Sequence, residues 1–161
     1  MTQPRVWIAW ITFVAIGSGG CAATSSDESA IRSVLRFQGA AWNRGDLRAF
    51  MEGYWKSDDL TFVSVGKAKD PDTGVEREVE KTVKGWQATL DRYQSRYPTR
   101  DRMGILSFRD LVVEPTGTNA AEVSGRFHLQ RAGGDASGRF RLDMRRIDGA
   151  WVIVRDRTVS D

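Results

Sequence analysis

Gly138 to Asp161, GRFRLDMRRIDGAWVIVRDRTVSD, decides how this chain folds. Two runs of apolar/polar alternation flank Asp148-Gly149, a strong short-range hairpin signal. Two registers are open. A two-residue turn pairs Ile147 with Ala150 and puts Phe140, Leu142 and Met144 on one face with Arg155 and Arg157. A three-residue loop, Ile147-Asp148-Gly149 with Gly149 left-handed at a bulge, pairs Arg146 with Ala150 instead. Phe140, Leu142 and Met144 then share a face with Val152, Val154, Asp156 and Thr158. The other face collects Arg139, Arg141, Asp143, Arg145, Trp151, Ile153, Arg155 and Arg157. A one-residue slip turns every side chain over, so the apolar pattern selects the three-residue loop. Asp156 is then the one carboxylate on an otherwise apolar inner face, and the chemical question concentrates there.

Working outward, Ala121, Val123, Phe127 and Leu129 line one face of the preceding strand, with His128 on the opposite face. The strand before that, from Met103 to Glu114, changes parity: Leu106 and Phe108 are even, Leu111 and Val113 odd. A β-bulge near Arg109-Asp110 repairs the alternation and bends the sheet. Gly85 opens a helix that stops before Pro98, with Trp86, Leu90, Tyr93 and Tyr97 as its apolar stripe. Such a stripe commonly means packed core. Three of these four side chains carry a polar tip that needs a partner when buried, which suits a cavity wall better.

Nearer the start, Leu60–Val65 (LTFVSV) reads as a strand, and Val75, Val79 and Val83 mark a mostly exposed return strand beyond a charged turn. Ser25-Ser26-Asp27-Glu28 has the spacing of a capping box. A helix follows with Ile31, Val34, Leu35, Gln38, Ala41 and Trp42 on one face. Asp46 is placed to cap a second, shorter helix carrying Leu47, Phe50, Met51 and Tyr54.

Residues 1–20 read as a signal peptide: Arg5 precedes an apolar run, Val6–Ile16, too short to span a bilayer as a mature helix. Gly17-Ser18-Gly19-Gly20-Cys21 resembles a bacterial lipobox, which implies a lipidated Cys21 as mature amino terminus. Ser18 departs from the aliphatic residue usual there, and ordinary cleavage is the alternative. Ala22 after Cys21 implies, by the enteric sorting rule, the outer membrane facing the periplasm in a Gram-negative cell. Residues 21–26 form a short tether, and residues 27–161 one domain.

The chain has one cysteine and one histidine. An internal disulfide is therefore excluded, as is any metal site needing two histidines or a His/Cys cluster. No cofactor is called for. A net charge of +3, with acids interleaved among the arginines, describes a solvated surface rather than a nucleic-acid footprint.

The element order, two helices, two strands, a helix and a four-stranded meander, resembles the cone-shaped α+β fold of the nuclear transport factor 2 superfamily. In that fold a curved antiparallel sheet wraps three helices. Ketosteroid isomerase and the SnoaL-like polyketide cyclases share it. Trp42-Asn43-Arg44-Gly45-Asp46 is similar to the motif closing the first helix, and Tyr54-Trp55-Lys56-Ser57-Asp58-Asp59-Leu60-Thr61-Phe62 to the entry into the first strand. Gly85-Trp86, Tyr93 and Tyr97-Pro98 match the third helix. Gly149–Asp156 with Thr158 resembles a branch of small bacterial proteins that usually ends Asp-His-Thr-Ser. Arg157 stands where that branch has histidine, and residues 66–84 are longer than its usual link.

The resemblance implies a pocket for a small apolar or aromatic ligand, walled by Tyr54, Trp55, Trp86, Tyr93 and Tyr97 around Asp156. It implies, as a second reading, a lyase, isomerase or cyclase using Asp156 as acid/base with tyrosine donors at a developing enolate. In a third, Asp156 merely caps a buried tyrosine or tryptophan of a structural or interaction module. The order adopted is binding, structural, enzyme. Cones of this kind often dimerise through the outer face of the sheet. Here Arg139, Arg141, Arg145, Arg155 and Arg157 crowd that face, so a homodimer is not indicated.

If Cys21 is lipidated, the protein takes up labelled fatty acid and sediments with membranes, and Cys21→Ala abolishes both. Labelling that survives the substitution, or a soluble protein beginning at another residue, overturns the lipoprotein reading.

Overall fold

The computed structural model describes residues 25–161. The signal peptide, Cys21 and most of the tether lie outside the described residues. Helices α1 (Ser25–Asn43) and α2 (Leu47–Met51) precede the hairpin of β1 (Thr61–Lys69) and β2 (Glu76–Lys84). Helix α3 (Trp86–Arg96) and the single turn α4 (Arg100–Met103) then lead into β3 (Ile105–Gly117), β4 (Ala120–Gln130), β5 (Ala136–Ile147) and β6 (Ala150–Ser160). The six strands form one sheet in the order β2-β1-β6-β5-β4-β3. Here β1 and β6 pair parallel, Thr61 with Arg155 through Val65 with Val159, because the intervening helices and meander bring the last strand back beside the first.

The helices form where the apolar spacing demands. Ile31, Leu35, Gln38, Ala41 and Trp42 make the buried face of α1. Its last turn is pinned to the start of β3: Trp42 Nε1 donates to Met103 O at 3.1 Å, and Asn43 exchanges two hydrogen bonds with the Leu106 backbone. The Asp46 carboxylate accepts from Ala49 N at 2.9 Å and starts α2. In β3 the expected bulge is present. Arg109 pairs with Arg126 and Val112 with Ser124, leaving Asp110 and Leu111 opposite Gly125, with Asp110 at a φ of 54°. Leu106, Phe108, Leu111 and Val113 thereby all pack against the core.

The last hairpin departs from the expected register. Ile147 pairs with Ala150 across a two-residue turn, with Asp148 at φ 50° and Gly149 at φ 81°. Both turn residues are left-handed, the geometry whose twist matches two antiparallel strands. Trp151 and Ile153, expected outside, are consequently buried beside Met144. Trp151 packs at the start of α1, where its Nε1 donates to Asp27 at 3.4 Å and Arg146 pairs with the same carboxylate. Val152 and Val154 are not on the buried face. A second irregularity then restores the parity: Met144 pairs with Ile153 but Asp143 with Arg155, so Val154 is an extra, unpaired residue. Beyond it Leu142 faces Asp156 and Phe140 faces Thr158, all inward, while Arg155 is exposed. The first half of β6 keeps the register of the two-residue turn. In the second half the inward faces are those the three-residue loop predicts, but the pairing is not, since Leu142 meets Asp156 rather than Val154.

A Cβ built on Gly149 would touch nothing within 4 Å, so Gly149→Ala tests backbone strain alone. The expected loss is about 1 kcal/mol by denaturant melting with an unchanged slope. An unaffected midpoint would mean that the turn is not held left-handed.

Candidate functional site

Between α3 and the concave face of the sheet lies a cavity of about 390 Å³. Its walls are set by the parity of each strand. Phe62 and Ser64 come from β1, Phe108 from β3, Phe127 from β4, Phe140 and Leu142 from β5, and Asp156 and Thr158 from β6. Helix α3 contributes Tyr93 and its C-cap Tyr97, and α1 and α2 contribute Trp42 and Phe50. These rings hold one another edge to face. Trp42 meets Tyr97 at 4.8 Å between centroids, Phe50 meets Tyr93 at 5.3 Å, and Phe108 meets Phe140 at 5.5 Å. Such contacts keep a wall rigid without filling the space in front of it.

Tyr54 reaches the cavity because its backbone is clamped to β6. Ile153 N donates to Gly53 O and Trp55 N donates to Ile153 O, both at 2.9 Å, so Tyr54 lies beside the strand just before the extra residue. The clamp needs glycine at position 53. A Cβ there would come within 2.6 Å of the buried Gln38 side chain, whose Nε2 donates to Phe50 O at 3.1 Å.

Asp156 is 5% exposed. Its Oδ2 accepts from the Tyr54 hydroxyl at 2.7 Å and its Oδ1 from the Thr158 hydroxyl at 2.8 Å. The Tyr93 hydroxyl stands 3.4 Å from that of Tyr54, extending the chain of hydroxyls along the wall. Burial pushes the Asp156 carboxyl up to about 6, against the opposing pull of the two hydroxyl donors. Burial and the nearby Asp156 carboxylate both push Tyr54 well above the ordinary phenol value, and Tyr93 upward likewise. The phenols therefore stay protonated and remain donors, while the carboxyl changes charge near neutrality. Among the described residues no group of His, Cys, Asp and Glu is placed to hold a metal ion.

Of the residues expected at the pocket, Tyr54, Tyr93, Tyr97 and Asp156 come together at this cavity. Trp86 and Trp55 do not. Trp86 sits in the first turn of α3, where it faces α2 and donates from Nε1 to Met51 O at 2.9 Å, with the Lys56 ammonium over its ring. Trp55 is half-buried and is not among the residues that line the cavity. The sequence reading missed Phe62, Phe50 and Trp42 as lining, and also Arg92 and Arg96. A signal for the two arginines existed: spaced four apart on a helix, each stands immediately before a tyrosine of the stripe.

No protein-family model and no curated protein matches this sequence. Solved structures do. An NTF-2-like protein of unknown function from Shewanella oneidensis MR-1 superposes with a TM-score of 0.70 at 34% identity, over 82% of this chain and 98% of that one. A ketosteroid isomerase-like protein from Erwinia carotovora atroseptica gives 0.61 at 16% identity, over 85% and 98%. A scytalone dehydratase-like protein from Novosphingobium aromaticivorans gives 0.59 at 11% identity, over 84% and 85%. The last two share the fold alone. The Shewanella protein shares sequence along nearly its whole length as well, and on that ground the chain belongs to the nuclear transport factor 2-like family.

Proposed function

We propose that this protein binds a small apolar or aromatic molecule inside its cone. The observation that carries the reading is the cavity itself, about 390 Å³, walled by aromatic rings around one buried carboxylate and two tyrosine hydroxyls. Ligand sites typically offer roughly 300–1,000 Å³ of mainly apolar wall with a few convergent polar groups. In the same proposal the protein is exported and held to the cell envelope through a lipidated Cys21. The described residues contain no helix long and apolar enough to cross a membrane.

A second reading is favoured by one specific observation. Asp156 has a carboxyl at about 6 in contact with a protonated phenol, inside an open site. A carboxylate so placed can take a proton from carbon beside a carbonyl, and the Tyr54 and Tyr93 hydroxyls are donors for the resulting oxyanion. This is the chemistry of an isomerase, cyclase or dehydratase. The same contacts also serve a purely structural carboxylate, and the two predictions below separate the cases.

Ala68 lines the mouth of the cavity and is exposed, so Ala68→Trp should plug the entrance without disturbing the core. Calorimetry against a panel of aromatic and steroid-like compounds should find binding in the wild type and at least a tenfold loss in this variant, with the melting temperature unchanged. A panel with no binder would leave the structural reading in possession of the site.

The pH dependence has a definite sign. Asp156 holds its proton more tightly folded, at about 6, than its ordinary value of 3.8. Its contribution is therefore fully present below pH about 4 and is lost as pH rises to about 6, on the order of 3 kcal/mol. Asp156→Asn cannot titrate. Wild-type stability should fall relative to this variant across that window and run parallel to it above. Parallel curves throughout would show that the carboxyl is not displaced. Turnover of a carbonyl-activated substrate in the wild type that disappears in Asp156→Asn would establish the second reading.

A further inference from the structure

The charge around the cavity is one-sided. Over the whole chain 24 Lys and Arg face 21 Asp and Glu. Among the described residues, Lys67, Lys81, Arg92, Arg96 and Arg131 line the cavity with a single acid, Asp156. The two signs are also segregated by depth. Asp156 and Tyr54 are buried, Lys67, Lys81 and Arg96 are exposed, and Arg92 and Arg131 are half-buried. The cations thus form the rim and the carboxylate lies within. The rim draws on several elements: β1 and β2 supply the lysines, α3 two arginines, and the β4–β5 connection the third. The β1–β2 hairpin is what brings the two lysines there.

Three of these cations are held in place. Arg131 Nε donates to Gly134 O at 3.1 Å. The Arg92 guanidinium lies 5.6 Å over the Phe62 ring and donates from Nη2 to Ser64 Oγ at 2.7 Å. Phe62 pairs with Asp156 across β1 and β6 and packs against Tyr93 at 5.5 Å, so Arg92 sits one ring away from the inner carboxylate. The Arg96 guanidinium lies 5.8 Å over the Tyr97 ring. Among the described residues none of the five cations is ion-paired, whereas Arg126, Arg141 and Arg157 of the outer face pair with Asp161, Glu122 and Glu80. A guanidinium fixed on an aromatic face keeps further donors for a planar carboxylate.

We propose that the ligand is an organic acid, an aromatic or alicyclic body carrying a carboxylate, bound with its rings among Phe62, Tyr93, Phe108 and Phe140 and its anion at Arg92 and Arg96. This rests on the binding reading above and adds the charge and polarity of the ligand to it. Asp156 reinforces the orientation, because an anion entering with its charge inward meets a carboxylate in a dry wall, while one entering charge outward meets the rim. The rim also concentrates anions at the entrance, an effect that salt screens.

The test compares two probes with one ring body, 2-naphthoate and the neutral 2-naphthalenemethanol, by calorimetry on the full chain at pH 7.5. The acid should bind about tenfold more tightly at low salt, the worth of one charge-assisted hydrogen bond. That preference should shrink as salt is added. Arg96→Gln, at an exposed position, should reduce the preference and leave affinity for the alcohol unchanged, and Arg92→Gln should reduce it further. Binding of both probes with no preference, or a preference that both variants keep, overturns the organic-acid proposal and leaves the binding reading standing. Binding of neither probe overturns both.

Discussion

A left-handed two-residue turn sets the parity of β6 at its start, and the rest of the site depends on that parity being reversed once. Asp148 and Gly149 bring Trp151 and Ile153 to the buried face. Continued without interruption, the alternation would carry Arg155 and Arg157 inward and Asp156 outward. Val154 takes up one residue without a partner, and Asp156 arrives inside opposite Leu142. Two guanidinium groups facing an apolar sheet would each need a compensating charge, which this interior lacks. The Asp110–Leu111 bulge in β3 solves the same problem at the far edge. Both irregularities also bend the sheet. The constraint that keeps charge out of the core therefore contributes to the curvature that leaves the cavity.

The inner carboxylate is supported at close range and opposed by its surroundings. Tyr54 and Thr158 satisfy both oxygens, and among the described residues nothing cationic is ion-paired to it. Burial then dominates, and the group remains poised to change charge near neutral pH. Its phenol partner is fixed from two sides, through the backbone clamp on Ile153 and the close approach of Gln38 to Gly53. The cluster of edge-to-face rings around Tyr93 supplies the second wall. Rigid walls with an open middle are the arrangement a ligand needs.

Membership of the family leaves the activity open, since one fold carries many functions and each belongs to its site. Arg157 follows Asp156 in the strand and so faces away from the cavity, where it pairs with Glu80 on β2. The β1–β2 hairpin contributes Lys67, Val79 and Lys81 to the cavity rim.

The sequence by itself determined the element order apart from the single turn α4, the helix faces and the β3 bulge. Each is written in local spacing: 3.6-residue recurrence in α1 and α3, and a change of parity between Phe108 and Leu111. It also singled out Asp156, Tyr54, Tyr93 and Tyr97, because a polar tip on an apolar stripe is visible in one dimension. The register of the last hairpin was decided only by the tertiary structure. A uniform alternation and a broken one place Phe140, Leu142 and Asp156 on the same face, and only the packing of Trp151 against α1 distinguishes them. The parallel pairing of β1 with β6, the removal of Trp55 and Trp86 from the cavity, and the gathering of cations at its rim were likewise beyond local pattern. Each depends on which distant segments the sheet brings side by side, and spacing along the chain carries no record of that.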